Sequence, residues 1–256
     1  MGTEYKQGQI VDDNKVRDLF EARSSMNGIN TVMSCAEDPE TIRQNQYRDY
    51  ITKESLLKYL RVNKTDELFD FGCGVGRIVQ SVAGKVKSVY AVDVSAGMIA
   101  KAKNANQYSN VEFDVASSDS DFGKNRFTKI YTCWVLQHVS DKEIGSYLDK
   151  FYKALKSGGR MVILEQVRLN QSRQSEYMIQ RMEDDYKKLF EISGFNFIES
   201  HKVFRVPSYA MDIWKKYKLP KMFLPMLGFI EKITVMRKPE YIEYVAAVMV
   251  FEKMHK

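Results

Sequence analysis

The chain has 256 residues, 44% of them hydrophobic and 28% charged, enough for one large domain with a sizeable core. No apolar run approaches the ~18 residues of a membrane-spanning helix, and the opening "MGTEYKQGQIVDDNK" lacks the apolar core of a signal peptide. The net charge of +6 sits at one end: residues 201–256 hold 11 Lys or Arg against 5 Asp or Glu, and the remainder is neutral.

Gly2 meets only half of the myristoylation pattern, because Lys6 stands where Ser or Thr is required. Cys35, Cys73 and Cys133 are few and far apart and read as reduced thiols, which suits a cytoplasmic protein. His138, His201 and His255 show no paired spacing, so no metal site is expected.

In chain order, "NKVRDLFEARS" is a short helical candidate. Asp38 as N-cap, Pro39 at the first helical position and Glu40 at the positive dipole end open a second helix, with Ile42, Tyr50, Leu57 and Leu60 on its apolar face. From Glu67 to Leu164 the apolar period alternates. "LFDFG", "VKSVYAVDVS", "VEFDVAS", "FTKIYTCWVL" and "RMVILEQV" read as strands. "RIVQSVAGK", "AGMIAKAKNAN" and "DKEIGSYLDKFYKALK", the last ending at Gly158-Gly159, read as helices. A further helix is predicted over "EYMIQRMEDDYKKLFEISG", then strands at "FNFIESHKVF" and "EYVAAVMVFEK". Strands separated by helix-length crossovers imply a parallel α/β sheet covered on both faces.

The glycine turn in "LFDFGCGVGR" lies after the first strand, where such sheets bind ligands. Gly72 and Gly74 let the backbone approach a ligand closely. The nicotinamide pattern G-x-G-x-x-G needs glycine where Arg77 stands, and no G-K-[ST] follows for a P-loop, so the turn is wrong for a pyrophosphate. Asp93, about 20 residues further on, suits a ribose diol of any adenosine ligand.

With these motifs the chain resembles the class I S-adenosylmethionine-dependent methyltransferases. "LFDFGCGVGR", "VYAVDVSAGMIAKAK", "FTKIYTCWVLQHVSD" and "LKSGGRMVILEQV" match four family segments in order and spacing, over residues 66–204 plus the last strand. The resemblance implies a Rossmann-like, doubly wound, seven-stranded sheet, mostly parallel with an antiparallel last strand. Residues 1–65 would form a helical N-terminal cap, 66–204 and 241–254 the cofactor-binding core, and 205–240 an insertion. Cap and insertion would both close over the pocket.

For the cofactor, S-adenosylmethionine with product S-adenosylhomocysteine, the resemblance implies Gly72 and Gly74 beneath the methionine part, Asp93 on the ribose and Asp70 ordering the turn. Arg77 either faces the cofactor carboxylate or stands solvated in the first helical turn. Ser117 and Ser118 fall at the adenine position, where the family has an acid, with Asp119 close behind. Cys133, Trp134 and Gln137 would line the pocket, and Thr128 replaces the aspartate that opens the fourth strand.

Transfer to a hydroxyl needs a proton acceptor near neutral pH. His138 and Glu165 are the candidates, with loop anchor and strand-end carboxylate as their plainer alternatives. Arg181 could clamp an anionic substrate, or pair on a helix surface with Asp184 or Asp185.

The insertion mixes "WKKYK" with "MFLPMLGFIEKI". A helical cap packed on its own domain, a lid over the acceptor, and a segment on an anionic membrane surface all suit it. Trp214 and Tyr217 among lysines could stack on bases, but the modest charge weighs against nucleic acid. The expected function is methylation of oxygen on a small molecule, such as a sugar, a polysaccharide precursor or a lipid-linked acceptor. The alternatives are a protein N-terminal methyltransferase and a non-catalytic cofactor-binding scaffold.

Overall fold

Strand β1 (Glu67–Phe71) sends Leu68 into one apolar cluster and Phe69 and Phe71 into another, and β5 (Leu155–Val167) alternates Val162, Ile163 and Leu164 between the same two. A sheet with both faces buried needs this near-continuous apolar pattern. The computed structural model describes residues 10–33, 38–235 and 242–254. Gly2, Lys6, Cys35, His255, the end of the insertion at 236–240 and residue 241 lie outside the described residues.

The sheet runs β3-β2-β1-β4-β5-β9-β8, with β2 (Ser88–Asp93), β3 (Val111–Val115), β4 (Phe127–Cys133), β8 (Phe195–Val206) and β9 (Tyr244–Lys253). The pairs among β1 to β5 are parallel, and β9 runs antiparallel between β5 and β8. The expected seven-stranded, mostly parallel sheet is therefore present.

One face carries α2 (Pro39–Leu60) through Tyr47, Ile51, Leu56 and Leu60, and the other carries α5 (Ile144–Ala154) and α6 (Glu183–Ile192) through Leu148, Phe151, Tyr186 and Phe190. Asp38 caps α2 by accepting from the Thr41 amide at 2.9 Å. After β1 the chain makes only one turn of α-helix, α3 (Val79–Val82), whereas α4 (Ala96–Ala105) is capped by Ser95.

Two expectations about elements need correction. Helix α5 stops at Ala154, and Gly158-Gly159 lies inside β5, where the pairing with β4 shifts register between Phe127 and Lys129. The helix predicted from 176 begins only at Glu183. Before it, β6 (Arg173–Gln174) and β7 (Ile179–Gln180) form a small hairpin, and Ile179 packs on Val11, Val16 and Phe20 rather than on a helix face.

The insertion, α7 (Tyr209–Lys216) and α8 (Leu224–Thr234), packs on α2, the first of the arrangements that its sequence suits. Trp214 is fully buried there, its indole N–H donating to Arg43 O at 2.8 Å and its ring covered by the Arg43 guanidinium at 4.1 Å. It therefore offers no face to a base. Glu231 is buried between the Tyr47 hydroxyl, which donates at 3.0 Å, and Ser208, and burial raises its pKa. A buried carboxylate with this many donors fixes α8 on α2.

Candidate active site

The glycine turn after β1 holds Gly72, Gly74 and Gly76 at φ of +80°, +55° and +75°. A Cβ on Gly72 would lie 2.3 Å from Val135 Cγ2, and one on Gly74 2.6 Å from Val32 Cγ1, so neither position admits a side chain. The turn is pulled onto β2: the amides of Gly72 and Cys73 both donate to Val92 O. Asp93 accepts the Gly74 amide on Oδ2 at 2.8 Å and the Ser95 amide on Oδ1 at 3.0 Å. Burial raises its pKa against those donors.

These residues border a cavity of about 1530 Å³ at the carboxyl ends of β1, β2, β4 and β5. Ordinary small-molecule sites span roughly 300–1,000 Å³, so there is room for a nucleoside ligand and a second molecule. Among the described residues, five basic side chains (Arg17, Arg23, Arg48, Arg77, Lys142) are balanced along its border by five acids (Asp13, Asp70, Asp93, Glu143, Glu176).

Helix α1 (Asp13–Arg23) roofs the cavity. At one rim Glu21 accepts from Ser95 Oγ at 2.7 Å and from the Gly97 amide at 3.2 Å. Gly97 has no room for a side chain beneath Ser24, whose Oγ would stand 2.1 Å from an added Cβ. At the other rim Asp13 accepts the Ser140 hydroxyl at 2.9 Å, and Lys15 pairs with Glu176 at 2.8 Å. Thr41, Gln44 and Arg48 of α2 add a side wall. None of the described residues of the insertion borders the cavity, whereas residues of α1 and α2 do.

The residues expected at the cofactor are brought together here: Asp70, Gly72, Gly74, Arg77, Asp93, Ser117, Ser118, Cys133, Trp134 and Gln137 all border the cavity. Asp119 is exposed and stands outside it. Asp70 does not bond the turn amides; it accepts the Tyr131 hydroxyl at 2.8 Å, and burial pushes its pKa up to about 7. Arg77 is neither solvated nor free: its side chain is only 14% exposed, pairs with Asp49 of α2 at 2.8 Å and donates to Cys133 Sγ at 3.4 Å. Burial pushes the Cys133 thiol up to about 11, leaving it protonated. Thr128 bridges the strand starts, accepting the Glu67 amide at 3.0 Å and donating to Asp66 at 2.9 Å.

The segment after β4 is held from two sides. Glu165 is fully buried on β5, and its carboxylate accepts the amides of Val135, Leu136 and Gln137 at 3.1, 2.9 and 3.3 Å. It does not border the cavity; burial pushes its pKa up to about 7 against those donors. Arg181, expected on a helix surface, is 3% exposed and donates to the carbonyls of Leu136 and Val139, both at 2.9 Å, and to Asp141 at 2.6 Å. Trp134, at the head of this segment, sits at φ +60°, a conformation costing a bulky residue roughly 1–2 kcal/mol.

His138 borders the cavity under the roof, edge-on to Phe20 with ring centroids 5.1 Å apart. Its Nδ1 lies 2.7 Å from the Tyr177 carbonyl, which accepts only, so Nδ1 carries the proton and Nε2 the lone pair. Nε2 lies 3.2 Å from the Gln137 amide nitrogen. Burial pushes the imidazole down to about 4, so it is neutral near pH 7. Two buried polar atoms on the wall, Trp134 Nε1 and Gln137 Oε1, have no partner among the described residues. One donates and the other accepts, as a wall awaiting a polar ligand requires. The glycine cradle, the Asp93 oxygens and these two atoms fit S-adenosylmethionine. The roof residues Phe20, Glu21 and Arg23, and Tyr177 opposite, are absent from the family segments, and Gln166 lies in one, "LKSGGRMVILEQV", without being singled out. The local signals for the roof are the helical reading of "NKVRDLFEARS" and Asp12, which caps α1.

A family model described as a methyltransferase domain matches residues 68–159. Phosphoethanolamine N-methyltransferase 3 of Arabidopsis thaliana is 31% identical over 117 residues, 44% of this chain and 24% of that protein. Demethylmenaquinone methyltransferase of Tropheryma whipplei (strain Twist) is 29% identical over 114 residues, 44% of this chain and 47% of that protein. The chain thus matches less than half the length of either. In fold it is similar to geranyl diphosphate C-methyltransferase from Streptomyces coelicolor A3(2), solved with Mg2+, geranyl diphosphate and S-adenosyl-L-homocysteine. The TM-score is 0.65 at 13% identity, over 94% of this chain and 97% of that one. The matched domain, the strand order with its antiparallel insertion and the glycine cradle facing Asp93 agree: residues 68–159 carry a methyltransferase domain within a Rossmann-like fold shared with S-adenosylmethionine-dependent methyltransferases.

Proposed function

We propose that this chain methylates a hydroxyl oxygen of a small molecule, with a sugar-like polyol as the favoured class, and that His138 Nε2 receives the hydroxyl proton. The observation that supports it is the tautomer: Tyr177 O holds the proton on Nδ1 and leaves the Nε2 lone pair at the cavity wall. S-adenosylmethionine supplies an electrophilic methyl carbon. His138 acts on the acceptor. As an oxygen gains its methyl, its O–H becomes strongly acidic, so a neutral and weakly basic imidazole suffices. Gln137 holds Nε2 until an acceptor hydroxyl replaces its N–H. The balance of charge along the border suits a ligand without strong net charge, and Gln44, Gln166 and Ser175 offer uncharged hydrogen-bonding partners. The roof, tied down at both rims, weighs against an extended peptide acceptor. Alignment and exclusion of water by that roof supply much of the rate.

The test uses a labelled methyl donor against panels of hydroxyl and amine acceptors, with the methylated atom located by NMR. Oxygen methylation, with kcat lowered about 10²- to 10⁴-fold in His138→Gln while S-adenosylhomocysteine binds as before, supports the reading. Methyl on nitrogen, or a His138→Gln enzyme with full kcat, overturns it. Cofactor binding without turnover on either panel would return the scaffold reading.

A further inference from the structure

The insertion has a second face, turned away from α2. Its buried side is Leu224, Leu227, Gly228 and Glu231. On the other side Met222, Met226, Phe229 and Ile233 recur every three or four residues, as a single stripe along a helix does. They are 79%, 49%, 64% and 52% exposed. This is an apolar stripe with no partner among the described residues, continued by Tyr217, itself exposed on the adjoining turn. Single exposed apolar residues are ordinary, but four in register with an aromatic beside them are not.

Charge says what would cover it. Lys216, Lys218, Lys221 and Lys232 are exposed on the same two helices and their connection, and none makes an ion pair among the described residues. Between residues 213 and 235 the only acid is Glu231, which is buried against Tyr47 and Ser208. A protein-binding face of this size would be expected to mix both signs at its rim. Bulky apolar side chains ringed by lysines, with Asp212 the one exposed acid on the two helices, match the boundary between acyl chains and anionic headgroups. Lysine stems lie along the apolar layer while their ammonium groups reach the phosphates.

We propose that the Met222, Met226, Phe229 and Ile233 stripe, with its four lysines, docks the protein peripherally on an anionic lipid surface. The stripe enters the headgroup boundary and the helices lie in its plane. No helix among the described residues is long and apolar enough to cross a membrane, so the attachment is reversible. The docking face is separate from the cavity, with α2 between them: Thr41, Gln44 and Arg48 border the cavity, whereas Tyr50 and Ile51 meet Gly228. The inference is therefore independent of the methylated atom.

The experiment is co-flotation of the full chain with phosphatidylcholine vesicles, with and without about one third phosphatidylglycerol. Binding to the anionic vesicles only, weakened by salt, is expected. Phe229→Ser with Ile233→Ser should abolish it, and each of Lys218→Gln, Lys221→Gln and Lys232→Gln should lower the partition coefficient about fivefold. All these side chains are exposed, and unchanged S-adenosylhomocysteine affinity verifies that the variants fold. Equal binding by wild type and the Phe229/Ile233 variant overturns the proposal, as does failure of the wild type to float. A wild-type dimer that the same double variant splits would overturn it in favour of a second copy of the chain.

Discussion

Asp93 Oδ2 accepts the Gly74 amide at 2.8 Å, so the acid ending β2 also shapes the turn ending β1. With Oδ1 on the Ser95 amide, each oxygen keeps a further lone pair for a ribose hydroxyl. Asp93→Ala should lower S-adenosylhomocysteine affinity about 10- to 150-fold, the range for losing a hydrogen bond to a charged group. Asp93→Asn should fall between, because its amide N–H₂ must oppose one of the two backbone donors. Calorimetric titration measures both. Unchanged affinity in the alanine variant would remove Asp93 from the cofactor site.

Glu165 is where sequence and geometry part. As a base it should reach the acceptor; instead its oxygens are used by three consecutive amides. We therefore expect a positioning role. Glu165→Gln turns one acceptor into a donor facing an N–H and should cost about 1–3 kcal/mol of stability. Residual activity should keep the wild-type pH profile. Loss of an ionisation near pH 7 from that profile, close to where burial pushes this carboxyl, would instead make Glu165 the base.

His138 makes a pH prediction of opposite sign to the buried acids. Its pKa is about 4 when folded and about 6.5 when unfolded, so the unfolded chain binds the extra proton between those values. The stabilisation is complete above pH 6.5 and is lost as pH falls towards 4, by up to about 3 kcal/mol. Asp70 and Glu165, both raised to about 7, contribute stability that is complete below their unfolded values and lost as pH rises through 7. Denaturant unfolding of wild type and His138→Gln isolates the first effect. The variant should gain on wild type as pH falls from 6.5 to 4, and parallel curves would show that the ring is not desolvated.

The glycine turn was legible because only glycine adopts its backbone and tolerates Val135 and Val32 so close. The mostly parallel sheet with its antiparallel last strand was legible through the family motifs, and the start of α2 through its caps. Arg181 was misread for a local reason. Met178, Ile179 and Met182 have helical spacing, yet Ile179 packs on α1, and the ion-pair partner Asp141 lies 40 residues back. No window on the sequence contains that pair. The burial of Trp214 was illegible for a similar reason: among lysines it looks exposed, and Arg43, 171 residues away, buries it. The closure of the pocket by α1 was expected, but Glu21 and Asp13 act on Ser95, Gly97 and Ser140, none of which is near them in sequence.

Arg181 and Glu165 divide the backbone of one segment between them. The carboxylate takes the N–H groups of residues 135–137 and the guanidinium takes the carbonyls of Leu136 and Val139. Residues that bond one short segment share its conformation, so their mutational effects should not add. Arg181→Met leaves two carbonyls unpaired and should cost about 2–4 kcal/mol. Asp141 is 71% exposed and solvent can take over its charge, which keeps the loss towards the lower end. Arg181→Lys should recover little, since one ammonium cannot span both carbonyls and the carboxylate. Once Glu165→Gln has loosened the segment, Arg181→Met should cost about 0.5–2 kcal/mol less than in the wild type, a coupling read by denaturant unfolding of the four proteins in a double-mutant cycle. The same cycle on kcat should show each single variant losing most of what the double loses, because Trp134, Gln137 and His138 are set by this segment as a unit. Additive losses in both measurements would mean that the two residues hold separate structures and that the segment is not fixed by their joint grip.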